Sequence, residues 1–273
     1  FLSDRRQAGL QRDARQLLGG DAVVVSDNPP AAPWVEQADR LKLRHVLTLT
    51  FPTMGRADDA QGGATRLVAL KAVGDGYPLR GQLRLARDAA DREGQPTSGI
   101  PERGTVWVDA ALLEALALKS GDALLLGDAR FRIAELIALE PDRGTGFMTF
   151  APRVMLNAAD LSATGLVQPA SRITYRLAVA GDGAAGRQDL SWAEAEVKKP
   201  EVHGVRLESL GSGRPEMTRT LDRAEKFLSL VALLAALLSA VAVALAARGF
   251  AAPHLDDCAM LRVLGLPPRA IAG

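Results

Sequence analysis

The sequence is short of cysteine, histidine and excess charge, and each shortage removes a class of function. A single cysteine, Cys258, excludes an intramolecular disulfide and any zinc site built on several thiolates. In its position just past an apolar run, Cys258 reads as a small buried hydrophobe or as a reactive thiol. The three histidines, His45, His203 and His254, fall in no H-x-x-x-H or H-E-x-x-H frame, so no metal site is expected. Lys and Arg total 33 against 32 Asp and Glu, and the formal charge of +1 supplies no basic field to hold a nucleic-acid backbone. Nucleic acid is therefore excluded as a partner. No G-x-x-x-x-G-K-[ST] occurs, so an ATPase acting with this chain must be another chain. No G-x-S-x-G presents a nucleophilic serine, and neither catalysis nor a cofactor is expected.

What is present begins with a run of 21 uncharged residues at 227–247, FLSLVALLAALLSAVAVALAA, bounded by Lys226 and Arg248. At about 1.5 Å per residue it spans about 31 Å, close to the roughly 30 Å of a bilayer's hydrocarbon layer. Eleven of its residues are Leu, Val or Phe. At about −0.5 kcal/mol each on the insertion scale they favour the membrane by about 5 kcal/mol. The run is predicted to be a transmembrane helix. Ala232, Ala236, Ala240 and Ala244 recur every fourth position and form a smooth stripe. The stripe suits close helix packing in the bilayer, or it reflects the abundance of alanine in this chain. Basic residues flank both ends of the run, so charge does not orient it.

Helical signals start before the lipid. Ser212 can cap, Pro215 suits a first turn, and Glu216 places an acid there. Residues 212–226 are expected to project as a stalk whose seam is Met217, Leu221, Ala224 and Leu228. Residues 1–19, with Leu10, Ala14 and Leu17 at matching steps, offer a partner stalk following an upstream transmembrane helix. Ordinary core-facing stripes would show the same spacing. The chain begins at Phe1 and ends soon after Pro267-Pro268, which reads as an excised piece.

Between the stalks, apolar runs predict strands at 21–27, 45–51, 65–73, 105–109, 123–127, 130–139, 153–157, 172–180 and 202–210. Helices are predicted at 34–43, 110–116 and 188–198, with turns at Gly121-Asp122 and Gly127-Asp128. The fold class is an α+β body, a mixed sheet with a β-rich insertion, on a two-helix stalk followed by a transmembrane α-helix. Residues 94–101 read as a surface linker, so the insertion is placed at 86–145, between sheet halves at 20–85 and 146–211. Gly181, Gly183 and Gly186 imitate a dinucleotide fingerprint, but one helix and one strand remain after them, too few for a doubly wound sheet. A β-to-α turn is the preferred reading.

After Pro253 comes HLDDCAMLRVLGLPPRAIAG, a short helix with acids early, Arg262 late and Gly265 as a stop. Its residues Leu255, Met260, Leu261 and Leu264 can lie on a membrane surface, dock in a partner's groove, or serve a linker between two spans.

The stretch LDDCAMLRVLGLPPRAI after a stalk and a span resembles FtsX/MacB-type ABC transporter permeases, in which a span is followed by an E-x-x-x-L-R-x-x-G-type cytoplasmic helix. FPTM at 51–54, LVALKAV at 67–73, YPLRG at 77–81 and the sequence from 222 look like the YbbP-like permeases of bacterial inner membranes. Asp256 or Asp257 stands where many members carry Glu. The resemblance implies a porter-like periplasmic domain at 20–85 and 146–211, a cytoplasmic segment at 248–273, and a multi-pass protein of the inner membrane. It implies a cytoplasmic ABC ATPase subunit facing Asp256, Asp257, Met260, Leu261, Arg262, Leu264 and Gly265. It further implies a hydrophobic or lipid-like substrate and a periplasmic hydrolase partner. The residues alone also allow a membrane-anchored sensor ectodomain, or an oxidoreductase resting on the 181–186 glycines.

Overall fold

Alternation of apolar residues decides most of the strands, and the computed structural model describes residues 16–144, 150–168, 171–181, 183–209 and 229–249. The chain divides into two units, Phe1–Gly213 and Arg214–Gly273.

In the first unit the order is β1 (Ala22–Ser26), α1 (Ala32–Arg40), β2 (Arg44–Ala57), β3 (Thr65–Val73), β4 (Leu83–Ala86), β5 (Gln95–Thr97) and β6 (Thr105–Asp109). Then follow α2 (Ala110–Leu116), β7 (Ala123–Leu126), β8 (Ala129–Leu139), β9 (Arg153–Asn157), β10 (Thr174–Ala180), α3 (Gly183–Val197) and β11 (Val205–Ser209). Short 3-10 turns lie at Asp59–Gln61 and Ala158–Thr164. The sheet is mixed, as expected: β3 with β9 and β6 with β8 run parallel, and the other pairs are antiparallel.

The strand path is β11-β1-β10-β2-β3-β9-β6-β8-β4-β5, and β7 bridges β2 and β8. Those pairings close β2, β3, β9, β6, β8 and β7 into a ring. Two long strands make this possible by changing partner along one edge. β2 pairs with β10 over 44–50 and with β7 over 55–57. β8 likewise pairs with β7 over 129–132 and with β4 over 136–139. Pro52 falls in the gap between the two partners of β2. Ala69, opposite Pro52, donates its N–H to Pro152 of the β9 lead-in at 2.9 Å, so Pro52's missing N–H faces the unpaired edge and costs no ladder bond.

The ring interior is apolar. Phe51, Val68, Leu70, Val106, Val108, Leu124, Leu126, Phe131, Ile133, Val154 and Leu156 fill it, with Leu112 and Leu116 of α2 against them. On the β11-β1-β10 extension, Val24 and Leu177 pack under α1 and α3, where Trp34 and Trp192 meet edge-on with centroids 5.1 Å apart. The opposite face, carrying Val23, Val25 and Ala178, joins Val73, Met155 and Trp107 from the outside of the ring and is covered by Tyr77, Leu79 and Leu83.

Two strands were not among those expected, and the bounds of other elements shift. β4 was not foreseen because only four residues of LRLA mark it, and β5 lies inside the 94–101 stretch expected to be a linker. β5 is a short, exposed edge strand whose three residues, Gln95, Pro96 and Thr97, carry no apolar alternation. α3 starts at Gly183, five residues before the predicted position.

In the second unit the described residues form one helix, α4 (Ser229–Gly249), of mean hydropathy 2.7, none of it buried among the described residues. Its length and composition suit a membrane span.

Candidate functional site

The most chemically loaded place in the first unit is a buried charge cluster on the outer face of the ring. Lys71 lies in the apolar run TRLVALKAV of β3 and shares its face with Ala69 and Val73. Its side chain and those of Glu140 and Arg153 are 2%, 0% and 3% exposed. Buried so deeply, the ammonium must find partners for all three N–H groups, and it does. Nζ donates to Glu140 Oε1 at 2.7 Å, Asp142 Oδ1 at 2.8 Å and Tyr77 Oη at 2.9 Å. Tyr77 in turn donates its hydroxyl to Asp142 Oδ1 at 2.5 Å. The second oxygen of Glu140 accepts from Arg153 Nε at 2.7 Å.

A further pair extends the cluster. Arg143 donates to both carboxylate oxygens of Asp109, at 3.2 and 2.6 Å, and Asp109 also accepts the backbone N–H of Arg153 at 2.8 Å. Three cations, Lys71, Arg143 and Arg153, thus balance three anions, Asp109, Glu140 and Asp142. Burial pushes the Asp142 carboxyl up, but the Lys71 charge and the hydrogen bonds from Lys71 and Tyr77 outweigh it and hold it below its ordinary 3.8. Burial, followed by the charges of Asp142 and Glu140, holds the Tyr77 hydroxyl well above 10.0, so it stays a donor. The Arg143 guanidinium is desolvated, yet the Asp109 hydrogen bond and charge raise it above its ordinary value. A neutral network of buried, paired charges of this kind holds elements in place.

The cluster adjoins the turn through which the chain enters the sheet. Gly19, at φ +75, lies so close to Asp142 that an added Cβ would meet its side chain at 3.1–3.2 Å. Gly19 O accepts from Arg80 N at 3.1 Å. The Arg80 guanidinium grips Asp21, with Nη2 at 2.8 Å from Oδ2, and Asp21 also accepts from Gly181 N at 3.1 Å. The chain leaves the sheet beside this point, since Ala22 of β1 is in register with Ser209 of β11. Across the same face Arg176 of β10 pairs with Glu208 of β11 at 3.1 Å.

The residues singled out in the sequence lie elsewhere. Ala232, Ala236, Ala240 and Ala244 fall on α4 and are exposed. Asp256, Asp257, Met260, Leu261, Arg262, Leu264 and Gly265 lie outside the described residues, as do most of 1–19 and all of 212–226. The 181–186 glycines have a packing reason: a Cβ on Gly186 would sit 2.3 Å from Gly181 O, and one on Gly181 would sit 2.1 Å from Leu43 Cδ2. Glycine at both positions lets α3 start hard against the end of β10. Lys71, Glu140, Asp142 and Arg153 were not singled out. The available signal was one lysine inside an otherwise apolar strand, a position that demands a buried anion.

No protein-family model matches the chain. Over 264 residues, 97% of its length, the chain is 34% identical to the uncharacterized ABC transporter permease YbbP of Escherichia coli (strain K12). Across this stretch it is a relative of YbbP-type ABC transporter permeases. The chain spans 31% of that protein's length. Among solved structures it is similar to the periplasmic region of MacB from Actinobacillus actinomycetemcomitans, with a TM-score of 0.44 and 10% identity over 76% of this chain and 95% of that one. It is also similar to the extracellular domain of the noncanonic ABC-type transporter YknZ from Gram-positive bacteria, with a TM-score of 0.41 and 12% identity over 69% and 100%.

Proposed function

We propose that the chain is the part of a bacterial inner-membrane ABC permease that couples ATP hydrolysis by a separate cytoplasmic subunit to movement of a periplasmic head. The observation that carries this reading is the adjacency of Ala22 and Ser209: the chain enters and leaves the head at neighbouring points, and the apolar helix α4 follows the exit strand in sequence. A head held at one place by two chain connections can be displaced or reshaped by moving them, and no channel through it is needed. The identity to YbbP supports the permease class.

In this reading 1–19 and 212–226 are stalks and 227–247 spans the inner membrane, where the Ala232, Ala236, Ala240 and Ala244 stripe packs on another helix. Asp256, Asp257, Met260, Leu261, Arg262, Leu264 and Gly265 meet the ATPase. The substrate is hydrophobic or lipid-like, exported or extracted from the membrane, and a periplasmic hydrolase is a partner.

The test is site-specific cross-linking from positions 256–264 to the ATPase subunit in native membranes. Adducts at one face of this helix are expected, changing with nucleotide state. Absence of any adduct would remove the coupling claim.

A further inference from the structure

Segment 140–143, which follows β8, leaves the sheet and crosses its outer face, and the cluster is where it lands. Four elements distant in sequence meet on it. Lys71 of β3 and Arg153 of β9 hold it from the ring through Glu140 and Asp142. Tyr77, from the loop after β3, grips Asp142. Gly19 of the inward turn abuts Asp142, and Pro141 is packed so closely on Gly81 that an added Cβ there would lie 2.8 Å from both Pro141 and Gln16 O. The turn at 16–21 is held by backbone bonds to Arg80 and Val179 and by the Asp21–Arg80 ion pair, and the close packing of Gly19 on Asp142 joins it through 140–143 to the ring wall.

We propose that 140–143 is a latch: through Asp142 and Lys71 it fastens the turn by which the chain enters the head to ring strand β3, so that displacement of that turn is passed to the ring wall. Its use in transmission rests on the mechanical reading above; its existence is a property of the head alone. An ionic fastening suits this task. The pairs are short and enclosed, so they resist small displacements, while the apolar ring interior and the packing of α1 and α3 are built from other side chains.

The latch is tested by hydrogen exchange of the full 273-residue chain in detergent micelles, comparing wild type with Asp142→Asn and Tyr77→Phe. Asp142→Asn weakens the bond to Lys71 and leaves the shape. It is expected to speed exchange at 16–21, 77–81 and 140–143 by about tenfold or more beyond any change shared by the amides of 68–72, 106–108 and 154–156. Tyr77→Phe removes one hydroxyl and should move the same three segments by less. If the ring strands lose protection as much as those segments, the cluster acts only on the fold as a whole and the latch is overturned; unchanged exchange in both variants overturns it as well. Neither result bears on the ATPase cross-link, so failure of the latch and failure of the permease reading are told apart.

Discussion

Lys71 shows how a single side chain commits distant parts of a chain. Its ammonium is saturated by two carboxylates and a phenol, and removing it leaves Glu140 buried with Arg153 and Asp142 buried with the Tyr77 hydroxyl. Lys71→Met fills the same volume but strips that compensation. We expect a loss of about 3–5 kcal/mol, measured as a lower urea midpoint with an unchanged slope. Two carboxylates titrate in opposite senses. Asp142 is held below its ordinary 3.8, so its contribution is present above that value and is lost as pH falls through the lower folded one. Asp189 is buried on α3, and desolvation raises its carboxyl above 3.8. Its folded form favours the proton, so stability is full below the unfolded value and is lost as pH rises through the folded one. Relative to wild type, Asp189→Asn should therefore gain stability with rising pH across that interval, whereas Asp142→Asn should lose it. Denaturation midpoints at a series of pH values read both curves, and parallel curves would contradict the assignment.

At the scale of elements, glycine placement rather than helix propensity sets how α3 docks. Alanine in a helix is ordinarily better than glycine by about 0.8–1.0 kcal/mol. At Gly186 the added methyl would meet Gly181 O at 2.3 Å, a backbone atom that cannot swing aside. Gly186→Ala is therefore expected to destabilise, by about 1–3 kcal/mol, the typical cost of overpacking. Loss of the near-ultraviolet dichroism of the Trp34–Trp192 pair would place the damage at α3, and a gain in stability would refute the packing account. The change of partner along β2 is also an element-level matter. Pro52 sits where the strand's edge is between partners, so the residue that most disfavours a central strand is harmless there.

For the molecule as a whole, the length and composition of α4 predict that the chain behaves as a membrane protein. The apolar residues of 227–247 favour insertion by about 5 kcal/mol, and two aspartates near the helix centre cost about 5–7 kcal/mol on the same scale. The double substitution Leu237→Asp and Leu238→Asp should thus release the chain from membranes in a flotation assay, while wild type floats. Retention of the double variant with the lipid would show that another segment holds it.

Much of this was readable in the residues themselves. Nine of the strands, the three helices of the head and the apolar helix follow from local period and composition, because whether a residue is apolar depends on nothing beyond itself. β4 and β5 were not readable, since three or four residues with little alternation carry too weak a pattern. Ring closure and the charge cluster were decided only in three dimensions. β2 and β8 each had to choose two partners on one edge, and Lys71 meets Glu140 and Asp142 from 69 and 71 residues away. Periodicity says that a face is buried; which distant strand or carboxylate covers it is set by packing and by the need to pair every desolvated charge.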